Sequence, residues 1–281
     1  MKRNTIPFET LECFGAYLRQ EEKSASTIEK YMREITRFAD WLGASKLDRE
    51  AALNWKKQLL SQKLSPATIN AALSSLNKLF SFIGRNDCRL KYLKIQRKMF
   101  RSDARDLKKD DYIKLLDTAQ KQGKLRLALL IESICATGVR VSEVKYITVE
   151  AAKTGRTDIN LKGKIRTILL PSKLCHKLVK YAKKQKITSG EIFLTRSGRG
   201  LSRRQIWAEM KRLCKDAGVL PTKVFPHNLR HLFASRFYQV CRDIVKLADV
   251  LGHSSVETTR IYLVSTGAEH VRQLDRLGLI S

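Results

Sequence analysis

Apolar residues recur every three or four positions along most of the chain, which is the spacing of one face of an α-helix. In the first part of the chain this pattern predicts four helices. The second predicted helix begins at a Ser-x-x-Glu capping pattern, and the fourth begins at a Ser-Pro pair, which suits the N-cap and first helical position. The four helices are predicted over residues 7–22, 26–42, 48–62 and 65–84.

Helical patterning resumes at residue 110 and is then interrupted by two short β-like runs. Helices are predicted over residues 112–122 and 125–136. Residues 157–161 and 165–170 carry β-branched side chains and are joined through Lys-Gly-Lys, which predicts a hairpin. Beyond residue 172 the pattern is helical again. The predicted fold class is therefore mostly α, with a small antiparallel sheet in the second part.

A polar and basic stretch separates the two patterned parts. Residues 97–109 contain six Lys and Arg residues and follow neither helical nor strand spacing, which is typical of a linker. We therefore predict a helical domain over residues 1–96, a linker over 97–106 and a second domain over 107–281. The second domain is expected to be mixed α/β, mainly α.

The charge balance indicates the kind of partner. The chain has 55 Lys and Arg against 27 Asp and Glu, a net charge of +28, and both predicted domains share the surplus. Such a surface repels itself unless a polyanion neutralises it, which favours nucleic acid as the partner. The apolar stretch near residues 127–131 is ended by Glu132, and no apolar run follows the N-terminus. Membrane and secreted proteins are therefore disfavoured, and a cytoplasmic, nucleoid-associated protein is expected.

The cysteine spacing argues against a zinc site. The six cysteines are at least 27 residues apart, so no Cys-x-x-Cys pattern exists. No Gly-x-x-x-x-Gly-Lys-Ser/Thr phosphate loop and no carboxylate cluster for Mg²⁺ stands out either. We expect reduced thiols, no metal and no cofactor.

Candidate reactive residues lie close to predicted helix ends. Arg140 follows Thr-Gly-Val near a helix start, and His227 and Arg230 lie on one flank at the start of another helix. Free backbone N–H groups favour anions at such places. His253 occupies a turn between helices, and Tyr262 lies two helical turns further on. Taken singly, each residue is as consistent with a surface ion pair, a loop histidine or a half-buried core tyrosine.

Taken together, these residues belong to five separated segments: Thr-Gly-Val-Arg140-x-Ser-Glu, Lys162-Gly, His227-x-x-Arg230-His, Leu-Gly-His253-Ser and Thr-x-x-Tyr262. Their order and spacing resemble the tyrosine recombinases, the family of the phage integrases and the Xer-type recombinases. The resemblance covers nearly the whole chain, because the helical N-terminal module is similar to the SAM-like core-binding domain of that family.

The resemblance implies a DNA strand-transfer enzyme in which a tyrosine attacks a phosphodiester and forms a 3′-phosphotyrosyl link. Because this link keeps the bond energy, the reaction requires neither ATP nor metal. A free tyrosine titrates near 10, so only about one in a thousand is ionised at neutral pH, and a base or a strong positive potential must assist it. The implied roles are Tyr262 as nucleophile, Arg140 and Arg230 as phosphate clamps, Lys162 as general acid, His227 as general base, His253 as hydrogen-bond donor to the phosphate and Glu143 as a supporting partner.

Three of these assignments have rivals within the chain. Lys164 would point to the same strand face as Lys162. His231 is an alternative base, less well placed because it lies beyond the arginine of its motif. Tyr238 also follows that motif, but it lies in the middle of a helix beside Phe237 and is favoured as a core residue.

The resemblance also implies an assembly. The two domains would encircle double-stranded DNA at a specific site, and a homotetramer would form on synapsed DNA. The amphipathic segment at about 267–279 would dock on a neighbouring subunit or on its own domain. The expected role is integration, transposition or resolvase activity on a mobile element, or resolution of replicon dimers. The alternatives are a type IB topoisomerase-like enzyme that nicks and reseals DNA, and a non-catalytic basic DNA-binding regulator.

Overall fold

The computed structural model of the chain describes residues 6–95, 106–161, 164–262 and 275–277. The chain divides into two units, Met1–Arg97 and Lys98–Ser281, and each has a hydrophobic core of its own. Most of the predicted linker, Lys162, and the predicted C-terminal helix apart from residues 275–277 lie outside the described residues.

The first unit is helical, as the apolar spacing predicts. Its last helix begins where Ser65 accepts a hydrogen bond from the Thr68 amide at 3.1 Å, with Pro66 in the first helical position. A short 3₁₀ turn, Asn86–Cys88, follows it. The helices are α1 (Phe8–Gln20), α2 (Ala25–Leu42), α3 (Arg49–Ser61) and α4 (Pro66–Phe82).

The second unit is mainly helical and contains the predicted hairpin. Strand β1 (Arg156–Leu161) pairs antiparallel with β2 (Lys164–Leu169), so that Ile159 lies opposite Arg166. The six-residue helix α7 was not predicted, because it is too short for its apolar spacing to be recognised. The helices are α5 (Lys109–Lys121), α6 (Leu125–Thr137), α7 (Val149–Thr154), α8 (Ser172–Lys184), α9 (Arg203–Ala217), α10 (Pro226–Cys241), α11 (Ile244–Leu251) and α12 (Val256–Arg260).

The hairpin lies with one face against the core of the second unit. Ile159 and Ile168 are buried, whereas Ile165 and Leu169 are exposed. Because side chains alternate between the two faces of a strand, Arg166 shares the inner face with Ile168. This position for an arginine has consequences for the candidate site.

Helix ends in the second unit are shaped by glycines in the left-handed conformation. Helix α6 ends at Gly138 (φ +65°), and α11 ends at Gly252 (φ +63°). The 3₁₀ turn Val141–Tyr146 follows the first of these ends, and His253 follows the second. These two ends and the start of α10 carry most of the predicted reactive residues. Among the described residues, no helix combines the length and apolar character that crossing a bilayer requires.

Candidate active site

Arg230 lies at the centre of the candidate site. Its side chain projects from the first turns of α10 and is 2% exposed. One guanidinium nitrogen, Nη1, donates to the carbonyl of Gly138, and Nη2 donates to the carbonyl of Leu251 at 2.7 Å. Both acceptors lie at helix C-termini, where carbonyls lack helical partners and the helix dipole favours a cation. The local fold thus holds a buried positive charge.

The burial of Arg230 changes its acidity but not its charge at neutral pH. Burial lowers the pKa of Arg230 to about 10, with a hydrogen bond to Tyr262 acting in the opposite direction and the charge of Arg140 lowering it further. A group with this pKa stays protonated at pH 7. The site therefore contains a permanent cation in contact with a tyrosine.

Arg140 is held by Glu143 across the start of the 3₁₀ turn. Its backbone amide donates to Glu143 Oε2 at 2.8 Å, and its Nη1 donates to Oε1 at 2.7 Å. Its Nη2 donates to the Gly252 carbonyl at 3.3 Å. The Arg140 side chain remains 40% exposed, whereas that of Glu143 is fully buried. Arg140 can therefore meet a ligand from solvent while its carboxylate support stays inside.

Glu143 is ionised despite its burial. Burial by itself raises the pKa of Glu143, but the Arg140 amide and the charges of Arg166 and Arg140 outweigh it, and the pKa lies below its ordinary value. Its carboxylate thus neutralises part of the positive charge gathered at this site.

Arg166 is a third guanidinium at the site, and the sequence interpretation missed it. Its Nη1 donates to Glu143 Oε2 at 2.5 Å and its Nη2 donates to the Val250 carbonyl at 2.8 Å. The side chain is 10% exposed, and burial lowers its pKa against the attraction of Glu143. The sequence feature that could have identified Arg166 is its position two residues before Ile168, which places a basic side chain on the inner face of a predicted strand.

The three arginines converge on the C-terminus of α11. The successive carbonyls of Val250, Leu251 and Gly252 accept hydrogen bonds from Arg166, Arg230 and Arg140, in that order. Since the last carbonyls of a helix are unpaired and carry its negative dipole end, they suit three cations.

His253 continues this chain of contacts as a neutral ring. Its Nε2 lies 2.9 Å from Arg230 Nη2, and its Nδ1 lies 2.8 Å from the Thr259 hydroxyl. Because a guanidinium only donates, Nε2 accepts and the proton resides on Nδ1. Burial, and then the charges of Arg230, Arg140 and Arg166, lower the pKa of His253 to about 4. In this arrangement both ring nitrogens are engaged within the protein.

Tyr262 follows α12 and lies among three histidine rings. It is 5% exposed. The ring centroids of His231, His253 and His227 lie 4.5, 5.7 and 6.0 Å from its own, and the His253 ring is nearly parallel to it. The rival base His231 is thus nearer to the Tyr262 ring than His227 is. His231 is also buried, whereas His227 is exposed.

The rival tyrosine, Tyr238, has different surroundings. It packs, half-buried, on the apolar cluster formed by Ala234, Leu247, Leu251 and Tyr262, with the Arg242 guanidinium 6.0 Å from its ring centroid. Tyr262 is the tyrosine in contact with Arg230 and the imidazoles.

The structure thus brings Arg140, His227, Arg230, His253 and Tyr262 to one region of the second unit. Within the described parts of the chain, no group of three or more His, Cys, Asp or Glu side chains is arranged to hold a metal ion. The arrangement suits an anion: two guanidinium groups with fixed donors stand beside a phenol and several imidazoles.

The chain is similar to known proteins over both of its domains. The model of the phage integrase family matches residues 105–269, and that of the phage integrase N-terminal SAM-like domain matches residues 11–86. The tyrosine recombinase XerA of Pyrococcus furiosus is 30% identical over 100% of this chain and 98% of its own length. The tyrosine recombinase XerD of Oceanobacillus iheyensis is 27% identical over 92% of this chain and 94% of its own.

Solved structures share the fold. The XerH recombinase in a pre-cleavage complex with its difH substrate has a TM-score of 0.67 at 20% identity, over 97% of this chain and 90% of that one. A lambda integrase dimer bound to a core site has a TM-score of 0.73 at 17% identity, over 91% of this chain and 94% of that one. With both domains matched in order and a Xer recombinase similar along its full length, the chain belongs to the phage integrase family of tyrosine recombinases.

Proposed function

We propose that this chain cleaves and rejoins duplex DNA at specific sites through a covalent 3′-phosphotyrosyl intermediate on Tyr262. The observation that carries the proposal is the stacking of Tyr262 on His253, which accepts a hydrogen bond from Arg230. The guanidinium of Arg230 in turn shares the C-terminus of α11 with that of Arg140. A nucleophile and two cations for a phosphate therefore lie within one site.

Arg140 and Arg230 are proposed to hold the non-bridging oxygens of the scissile phosphate. In the transition state of phosphoryl transfer these oxygens carry the negative charge, and preorganised donors stabilise it most effectively in a site that excludes water. The exposed edge of Arg140 gives the phosphate a point of entry. Both Nη atoms of Arg230 already donate hydrogen bonds to groups of the protein. The incoming phosphate is therefore proposed to take the place of His253 as an acceptor from Nη2.

The chemical step moves two protons. The Tyr262 oxygen bonds to phosphorus while the bond from phosphorus to the 5′-oxygen breaks. The phenol proton passes to His227, and the leaving 5′-oxygen takes a proton from Lys162. Ionising an ordinary phenol at neutral pH costs about 4 kcal/mol, and the neighbouring guanidinium groups offset this cost. Because the phosphotyrosyl link keeps the bond energy, rejoining reverses the step without ATP, and the proposal includes no metal.

Two histidines lie near Tyr262 and are candidates for the general base. The family motif favours His227, whereas His231 has the shorter ring separation from Tyr262. We retain His227, because its exposed ring can pass the proton on to solvent. His227→Ala should therefore slow covalent attachment more than His231→Ala.

A duplex nicked beside the cleavage position tests the proposed reaction, because the short product diffuses away and the covalent adduct accumulates. The protein should form an adduct that survives denaturation and is linked to a DNA 3′ end. Tyr262→Phe should form none, since it lacks the attacking oxygen, whereas Tyr238→Phe, the matched control, should form it at the normal rate. An adduct with the Tyr262→Phe protein refutes the assigned nucleophile. Binding without any adduct by the unaltered protein favours a regulator.

The proposed partner is double-stranded DNA carrying a specific recombination site, bound by a homotetramer on synapsed duplexes. This part is supported by the net charge of +28 and by fold relatives such as a lambda integrase tetramer bound to a Holliday junction. The relatives named XerA and XerD favour resolution of replicon dimers, with resolution or integration of a mobile element as the neighbouring role. Such an enzyme acts at the nucleoid.

A further inference from the structure

Arg166 is a largely buried cation, and the reaction proposed above assigns it no role. It lies on β2 opposite Ile159, and its side chain is 10% exposed. Placing a guanidinium inside a protein is costly unless it is paired. Here the pairing is with Glu143, which already serves Arg140. A second cation on one carboxylate calls for a physical explanation.

The guanidinium of Arg166 joins two segments that are distant in sequence from the hairpin and from each other. Through Nη1 it contacts Glu143 in the turn that carries Arg140, and through Nη2 it contacts Val250 at the end of α11. It therefore connects the hairpin to both segments that present the candidate phosphate ligands.

The aliphatic part of the Arg166 side chain packs closely against Gly252. A Cβ built on Gly252 would collide with Arg166 Cδ and would stand 2.6 Å from its Nε. Gly252 therefore serves two purposes: it adopts the left-handed conformation that ends α11, and it leaves the space through which Arg166 reaches Val250. The glycine preceding His253 and the arginine of the hairpin fit each other.

Of the three arginines bound to the end of α11, Arg166 is the one that belongs to the hairpin. The contacts of Arg140 and Arg230 with Gly252 and Leu251 hold the phosphate ligands relative to one another. The contact of Arg166 with Val250 holds the hairpin relative to those ligands.

We infer that Arg166 is a positioning residue that keeps the hairpin, and with it the lysine proposed as general acid, in register with the scissile phosphate. The inference rests on the proposed function. In the step concerned, the lysine ammonium gives a proton to the 5′-oxygen as the bond to phosphorus breaks, which leaves a neutral amine and a DNA hydroxyl. Arg166 itself touches neither the substrate nor the reacting atoms.

The leaving group distinguishes this role from a general structural one. A substrate with sulfur in place of the bridging 5′-oxygen expels a thiolate, which is a much better leaving group than an alkoxide because thiols titrate at about 8.5, far below alcohols. Such a substrate does not need a proton from the enzyme. A defect in placing the general acid is therefore corrected by the sulfur substrate, whereas a defect in holding the phosphate is not.

The experiment measures the rate of covalent attachment to the nicked duplex with oxygen or sulfur at the cleavage position. Since general acid catalysis contributes about 10²–10⁴ in rate, Arg166→Ala should slow attachment about 100-fold with oxygen and by less than about threefold with sulfur. Arg140→Ala, the comparison variant, should be slow with both substrates, because it removes a phosphate ligand. Arg156→Ala removes an exposed cation from the same hairpin and should match the unaltered protein.

Arg166→Lys keeps the charge but lacks the forked head that reaches Glu143 and Val250 together. It should show the same oxygen-specific defect, and it carries the test if Arg166→Ala does not fold. Equal slowing on the two substrates, or no slowing on either, overturns the inference. An unaltered protein that forms no adduct with either substrate overturns the proposed function instead, and the inference with it.

Discussion

At the scale of single residues, the site shows how packing sets the protonation of His253. The imidazole stacks on Tyr262 and accepts a hydrogen bond from Arg230, with two further guanidinium groups nearby. Burial and these positive charges disfavour the imidazolium, so the pKa falls to about 4 from an ordinary value of 6.5. The ring is neutral throughout the physiological range.

This low pKa predicts how stability depends on pH. Between pH 6.5 and about 4 the unfolded chain binds a proton at His253 that the folded chain excludes. The free energy of unfolding should therefore decrease as the pH falls through this interval. His253→Gln binds no proton in either state, so its profile should be flatter by up to about 1.4 kcal/mol per pH unit, the value for one proton.

Denaturant unfolding of both proteins across that interval measures the difference in slope. Parallel profiles for the unaltered protein and His253→Gln would contradict a depressed pKa at this position.

At the scale of elements, two helix ends decide the geometry of the site. Gly138 ends α6 in the left-handed conformation and offers its carbonyl to Arg230. A Cβ built on Gly138 would collide with the Phe233 ring, whose Cε1 atom would be 2.7 Å away. Because Phe233 and Arg230 share α10, any relief of this collision shifts the helix that carries the guanidinium.

Gly138→Ala should therefore be destabilising for two reasons. A left-handed alanine costs about 1–2 kcal/mol, and overpacking against Phe233 adds about 1–3 kcal/mol. Gly218→Ala is the matched control, because Gly218 ends α9 at φ +61° with no atom within 4 Å of the added Cβ. It should show the conformational cost alone.

The free energies of unfolding of the two glycine variants give the comparison directly. Attachment to DNA should also be slower for Gly138→Ala and unchanged for Gly218→Ala. Equal destabilisation by the two substitutions would show that the Phe233 contact has no energetic weight.

At the scale of the whole molecule, two units with separate cores share a large positive charge. The C-terminal segment beyond Tyr262 lies mostly outside the described residues. Its apolar residues Val271, Leu274 and Leu277 recur at helical spacing, and a helix of about 12 residues is marginal in isolation. We therefore propose that the helix predicted for this segment docks on a neighbouring subunit.

Deletion of residues 267–281 tests this docking. DNA binding by a single protomer should remain largely intact, because the basic units are retained, whereas cooperative occupation of a full site should weaken. Binding isotherms on half and full sites measure both quantities. A truncated chain that fills the full site as cooperatively as the longer chain would refute docking on a neighbouring subunit.

Features that depend on near neighbours along the chain could be predicted from the sequence. Apolar spacing predicted the helices of both units apart from α7, two runs with β-branched side chains predicted the hairpin, and Ser65 with Pro66 marked a helix start. The motif segments also supplied Arg140, Arg230, His253 and Tyr262 as candidates, and the fold brings these four residues together. Their catalytic roles remain predictions.

The partners of these residues could not be predicted, because they come from distant parts of the chain. Arg140 meets Gly252 across 112 residues of sequence, and Arg166 meets Val250 across 84. Such contacts decide which arginine donates to each carbonyl at the end of α11. They also decide the tautomer of His253 and the short distance between the rings of His231 and Tyr262. Local periodicity reports only which face of an element is buried. The particular group that meets a side chain there is set by how distant elements pack.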